Sequence, residues 1–353
     1  LLPESGGLDF SYADIAPDLG PFEFSTTFYI DPSGVDTAGR NGSIGQEWAT
    51  LAYACTRAVS VGDVIHVAAG TYTETMQSVL AEGVSITGVG ITSIITTAAA
   101  LNPIIYAASP IQNSPGNQSI SSLAFDGDNV AVMGIHVRAR SNVIVHDCSF
   151  IDFTDNGLRF TGLVSGSGEP ANYSRNNSAY NCTFTNCGSE TFSDPYYFAS
   201  AALGLSGQQD ALVYNNNIDN SLGNYAYGIN TNGIGYNRGL IIHDNNILVS
   251  PKHVASNQWQ FSIELWTCRG GVQIYNNTVS GGIDFGGVST TDTYGYGFAV
   301  MLHDNNIELA ALQASDHTGV IIESDISGGV YVFNNTIKNF SYGLTMNALS
   351  GPT

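Results

Sequence analysis

The stretch IIHDNNI, Ile241 to Ile247, returns as MLHDNNI, Met301 to Ile307, with QIYNNTV, Gln273 to Val279, between them. Alignment on the six-residue core gives seven copies, beginning at Val145, Ala179, Val213, Ile242, Ile274, Leu302 and Val332. The steps between copies run from 28 to 34 residues. A kept core with uneven spacing is what stacked strands joined by unequal loops produce, so the repeat constrains the chain to a solenoid.

Each copy reads as strand, bend, strand. The first and sixth positions are apolar and face inward, and the second, always His, Tyr or Phe, alternates outward. The third is Asp or Asn, residues that tolerate a left-handed backbone at a bend. Coils of a parallel β-helix stack roughly 4.8 Å apart, so equivalent residues form ladders. The fourth position predicts an inward amide ladder, Asn216, Asn245, Asn277, Asn305 and Asn335, each side chain bonding the next and satisfying buried polar groups. The second position predicts an external file of rings, His146, Tyr180, Tyr214, His243, Tyr275, His303 and Phe333. Such a file either docks glycans, through Tyr180, Tyr214, His243, Tyr275 and His303, or braces the coil edge by self-stacking. Cys148 and Cys182 share one ladder position in consecutive coils, within disulfide range, or stand as two stacked thiols. Cys55, Cys187 and Cys268 have no partner legible in the sequence.

Segments sharing a small-apolar-variable-apolar pattern fit as the first strand of each coil: MGIHVRA, NGLRFTG, LGLSG, YGINTN, SIELW, GFAVM, GVIIES and YGLTMN. With DVIHVAAGTY, GVSITGVGI and ISSLAFDG before them, they give about ten coils from near Val64 to Met346. Ahead of the coils, Trp48, Leu51, Ala52, Cys55 and Val59 fall on one helical face. A short amphipathic helix near 46–59 is expected to cover the first coil's exposed edge.

From Phe28 to Glu74 the chain resembles the opening of pectate-lyase-like right-handed parallel β-helices. The pattern Y-x-x-P-x-G is met by Tyr29, Pro32 and Gly34, and G-D-x-I-x-V-x-x-G-x-Y by Gly62, Asp63, Ile65, Val67, Gly70 and Tyr72. The resemblance covers about residues 27–347 and implies an all-β, single-stranded right-handed parallel β-helix with an N-terminal capping helix. Residues 1–26 then form an arm that could reach a neighbouring subunit, and 348–353 a tail. The resemblance does not fix a function, because this superfamily hosts lyases, hydrolases, epimerases, adhesins and fibres.

It does imply a working surface, the groove along the first strands. Alternation places His136, Arg159, Gly204, Asn230, Glu264, Ala299, Ile321 and Thr345 in one outward file. Its neighbour holds Arg138, Thr161, Ser206, Asn232, Trp266, Met301, Glu323 and Asn347. His136, Arg138 and Arg159 gather positive charge of the kind a polysaccharide lyase needs beside a uronate. Glu264, Trp266 and Glu323 offer a sugar an aromatic face and two carboxylates, the equipment of glycoside hydrolysis, although Glu264 and Glu323 stand two coils apart, roughly 10 Å. The Ca²⁺ site or catalytic Lys that the resemblance would add to a lyase has no acidic triplet or Lys in these files. The hydrolase motifs Asn-Thr-Asp, Asp-Asp, Gly-His-Gly and Arg-x-Lys are absent. There is no nucleophile elbow and no phosphate loop in context. The His-Asp pairs at His146, His243 and His303 lie coils apart, so no metal or other cofactor is expected.

The composition narrows the partners. Charged residues make up 11% of the chain, with 30 acidic against 10 basic and a net charge of −20. Such a surface repels nucleic acid, acidic membranes and polyuronates, and no apolar run is long enough to span a bilayer. Sequons at Asn41, Asn117, Asn172, Asn176, Asn181, Asn276, Asn334 and Asn339 favour a secreted glycoprotein. The expectation is a secreted, glycan-bearing β-helix with a structural or surface-binding role, including head-to-tail assembly into a filament through open ends. The alternative is a carbohydrate-active enzyme, hydrolase or lyase, working in the first-strand groove.

Overall fold

The outward–inward alternation of the repeats closes the chain into coils. In the computed structural model, which describes residues 25–163, 172–188, 200–222, 227–231, 236–250, 261–266, 268–286, 295–310, 317–322 and 328–346, three long sheets run the length of the molecule. The groove sheet has 10 strands, from Ser78–Val79 to Tyr342–Met346. The ring sheet has 11, from Thr27–Ile30 to Val330–Phe333, and the third sheet has 10, from Gly70–Thr73 to Thr336–Lys338. A complete coil contributes one strand to each sheet, and Thr27–Ile30 adds one more to the ring sheet; one coil, for example, runs Met133–Arg138, Arg140–His146, Ser149–Ile151. All the pairings are parallel, and a two-stranded ribbon, Ser174–Arg175 with Gln208–Gln209, sits at the corner between the groove and ring sheets.

Inward residues fill one continuous core, from Ile30 and Ile65 to Val320 and Ile322. Phe125, Phe150 and Phe184 stack inside it, with centroids 5.2 and 4.8 Å apart. The bend after the ring strand is left-handed at Asp147, Asn181, Asn215, Asp244, Asn276, Asp304 and Asn334, with φ between 52 and 58°. The amide ladder is unbroken from Asn216 to Asn335: each Nδ2 donates to the next Oδ1 at 2.9–3.0 Å. Each of those oxygens also accepts the backbone N–H one coil earlier, at 3.0 Å.

Cys148 and Cys182 occupy the same rung as separate, buried thiols. Each Sγ points at two carbonyls, those of His146 and Ile120 for Cys148 and those of Tyr180 and Val145 for Cys182. These are the carbonyl positions that the ladder amides serve in later coils, so the thiols stand in for amide donors.

Two expectations need correction. The helix spans only Leu51–Cys55. Trp48 is instead bridged to Ile30 in extended form, and Asp36 accepts the N–H groups of Ala49 and Thr50, which fixes the chain before the helix starts. The segment GFAVM is not a groove strand. Val300–His303 belongs to the ring sheet, and the groove strand of that coil is Gly282–Gly286, GIDFG. Ala299 and Met301 therefore leave the groove files, and Asp284 and Gly286 enter them. Residues 1–24 of the 1–26 arm, Asn232, Glu323, Asn347 and the 348–353 tail lie outside the described residues.

Candidate active site

The groove's first outward file follows from strand register: Tyr106, His136, Arg159, Gly204, Asn230, Glu264, Asp284, Ile321, Thr345. On the strand Phe261–Trp266, Ile263 and Leu265 point into the core, which turns Glu264 outward. On Gly282–Gly286, Ile283 and Phe285 do the same for Asp284. The two residues are paired in register on adjacent coils, so their backbones are one strand spacing apart, on the order of 5 Å. Although they face outward, they are only 7% and 4% exposed. Asn230, one coil before, donates from Nδ2 to Glu264 Oε2 at 2.7 Å. Ile321, one coil after, gives Asp284 an apolar neighbour. The second file runs alongside, with Trp266 in register with Gly286.

At the other end of the file the expected basic cluster assembles, but with less charge. His136 and Arg159 are in register, as are Arg138 and Thr161. His136 Nε2 lies 2.7 Å from Thr161 Oγ1. Burial, helped by the positive charges of Arg159 and Arg138, lowers the His136 pKa to about 3, which leaves the imidazole neutral. Arg159 Nη1 is 3.9 Å from Asp155 Oδ2, and Arg138 Nη1 donates to the Tyr106 hydroxyl at 3.2 Å. The stem of Arg159 lies over Gly204, where a Cβ would meet its Cγ at 3.3 Å. Gly204 thus leaves room for that side chain to lean along the file toward Asn230.

The ring file forms a continuous stack. Centroids from His146 to Phe333 are 4.8–5.1 Å apart, with planes within 16° of parallel. Tyr180, Tyr214, His243, Tyr275 and His303 each have both faces covered by neighbours and present only their edges. Each His of the stack pairs its Nδ1 with the following Asp at 2.6–2.7 Å, and among the described residues no cluster of His, Cys, Asp or Glu is arranged to hold a metal. Asn41, Asn117, Asn172, Asn176, Asn181, Asn276 and Asn334 are exposed, and Asn339 is half-buried.

Asp284 is the residue that sequence reasoning missed. Its signal was GGIDFGG, a small-apolar-polar-apolar run with the same alternation as SIELW.

No known sequence family matches the chain, and no curated protein does. Solved structures do. An alginate lyase from Paenibacillus sp. str. FPU-7 superposes with a TM-score of 0.54 at 15% identity, over 84% of this chain and 94% of that one. The pectate lyase Pel9A gives 0.52 at 15%, over 90% and 80%. ORF18 of Geobacillus virus E2 gives 0.51 at 11%, over 92% of this chain and 62% of that one. At this level of identity the likeness is one of fold, and the chain has the right-handed parallel β-helix fold of the pectate-lyase-like proteins.

Proposed function

We propose that the protein is a carbohydrate-active enzyme that hydrolyses glycosidic bonds of a polysaccharide lying in the groove. The observation that carries this reading is the in-register pair Glu264 and Asp284, outward-facing yet almost fully covered. Glycoside hydrolysis needs two carboxyl groups flanking the bond, and residues on neighbouring coils are close enough to supply them, one carboxylate as nucleophile and the other as acid and then base. Asn230 holds Glu264 as an acceptor, which suits the nucleophile. Asp284, beside Ile321, suits the proton donor. Trp266 gives the sugar an apolar face two residues along the same strand.

This ranks the enzyme above the structural role. With Glu323 as partner the carboxylates stood two coils apart; with Asp284 they are adjacent. Elimination is less well supported, because the base it would draw from the basic cluster, His136, is held neutral with a pKa too low for proton abstraction near neutrality. The test is product analysis on a panel of neutral and acidic polysaccharides. Hydrolysis yields new reducing ends without unsaturated sugars, and Glu264→Gln lowers that rate by about 10²–10⁴-fold. Unsaturated products, or an unchanged rate in Glu264→Gln, would sink the reading.

Secretion and glycan attachment fit the same reading, since a polysaccharide substrate lies outside the cell and most of the sequons are exposed. A structural role has one observation of its own. In the last described coil the inward positions Leu344 and Met346 are 44% and 53% exposed, whereas Val320 and Ile322, their register partners, are buried. Either further chain or a second copy stacking on that coil would cover them.

A further inference from the structure

The faces of the stacked rings are covered, but their outer edges form a line of polar atoms. On each His of the stack, Nδ1 sits 2.6–2.7 Å from the carboxylate of the following Asp. A carboxylate can only accept, so Nδ1 carries the proton and the neutral ring keeps Nε2 as an acceptor. The side chains of His146, His243 and His303 are 24%, 20% and 19% exposed, so solvent reaches the outer edge of each ring. Tyr180, Tyr214 and Tyr275 complete the file and are half-buried; among the described residues their hydroxyls have no hydrogen-bond partner. Each hydroxyl can both donate and accept.

Strand register sets these six tips in one line along the helix axis, at the 4.8–5.1 Å interval of the ring centroids. A second outward file runs alongside, two residues earlier on the same strands: Leu212, Ile241, Gln273 and Met301. These four are half-buried and none is charged. The strip therefore repeats, coil by coil, a hydrogen-bonding edge beside a mostly apolar shelf. An extended 1,4-linked glycan has the complementary pattern, hydroxyls on its edges and C–H groups on its faces, repeated sugar by sugar at a similar interval. The Nε2 acceptors need a donor from the ligand, which a hydroxyl has and an ionised carboxylate lacks. Asp147, Asp244 and Asp304 border the line and are exposed, and the molecule carries a net charge of −20. Both disfavour a polyanion.

We propose that the outer edge of the ring stack is a second glycan site, which holds a neutral, extended polysaccharide along the helix axis through hydrogen bonds between its hydroxyls and the tips from His146 to His303. The site belongs to a different sheet from Glu264 and Asp284. It cleaves nothing and does not depend on what the groove does. Its effect is to tether the protein to a polymer surface.

The test is binding, with Glu264→Gln as the parent protein so that cleavage does not consume the ligand. The probes are amorphous cellulose, linear β-mannan and glucomannan as neutral polymers, and polygalacturonate as the charged one. The parent should be retained on at least one neutral polymer and not on polygalacturonate. Tyr180→Phe, Tyr214→Phe and Tyr275→Phe together remove three hydroxyls and keep every ring, and Phe333 already stands in the stack. This triple variant should melt at the parent's temperature and bind about tenfold more weakly or worse. The same fall should appear when Trp266→Ala is present in both proteins, because a polymer held only in the groove would not feel the three hydroxyls. Unchanged affinity in the triple variant, equal retention on polygalacturonate, or no retention on any neutral probe overturns the proposal. Self-association that the triple variant loses, without glycan binding, would assign the strip to a second copy of the chain and overturn it as well. No readout here requires turnover, so the cleavage reading stands or falls separately, on the product analysis.

Discussion

Burial and the neighbouring Arg159 and Arg138 hold His136 neutral, with its pKa lowered to about 3. In the unfolded chain the same imidazole takes up its proton near pH 6.5. Between about pH 6.5 and 3 the unfolded state therefore binds the extra proton, so this residue's contribution is complete above pH 6.5 and is lost as pH falls through that window. His136→Gln should flatten the pH dependence of unfolding free energy there, by at most about 1.4 kcal/mol per pH unit. Chemical denaturation at pH 4, 5 and 7 measures it, and an unchanged slope in the variant would contradict the assignment. The pairing of His136, Arg138 and Arg159 could be read from alternation alone. Their electrostatics could not, because how deeply each side chain is covered depends on the loops around the groove. Asp284 was hidden for a related reason. The length of chain between a third-sheet strand and its groove strand varies from coil to coil, and here only Ser280 and Gly281 intervene, so the spacing pointed to GFAVM instead of GIDFG.

Among the elements, the corner ladders do the work that caps do for helices: they satisfy buried donors and acceptors in the same way in every coil. Removing a middle rung leaves buried groups unmet on both sides. Asn277→Ala deprives the Asn245 N–H and Nδ2 of their acceptor and should cost about 2–4 kcal/mol. The opposite change is informative as well. Cys182 already sends its N–H to Asn216 Oδ1 and its thiol to the carbonyls a rung amide would use. Cys182→Asn should therefore be tolerated within about 1 kcal/mol, extending the ladder by one coil, whereas Cys182→Val, which cannot donate, should destabilise. Thermal melting of the three variants orders them, and a Cys182→Asn protein less stable than Cys182→Val would refute the ladder account. The ladders and ring stack were legible because they sit inside the six-residue core that repeats. Helix length was not legible: the apolar periodicity around Trp48 is equally served by an extended segment paired to Ile30.

At the scale of the whole molecule, the seven repeats and the Y-x-x-P-x-G opening were enough to specify a β-helix of about ten coils, because one coil's pattern dictates the next. Function was less legible, because the groove strands vary where the repeat core does not. If the exposed last coil is a contact surface, sedimentation velocity should show concentration-dependent association that Leu344→Glu abolishes; a monomer at all concentrations would remove the structural reading and leave the enzyme. The measurement that bears most directly on that enzyme is the rate of reducing-end release by Asp284→Asn, on whichever polysaccharide the native protein cleaves. Circular dichroism of the variant would establish that its fold is kept. A fall of about 10²-fold or more with the β-sheet spectrum unchanged is the result expected of a proton donor; a folded Asp284→Asn protein that cleaves at the native rate would contradict the assignment of the carboxylate pair.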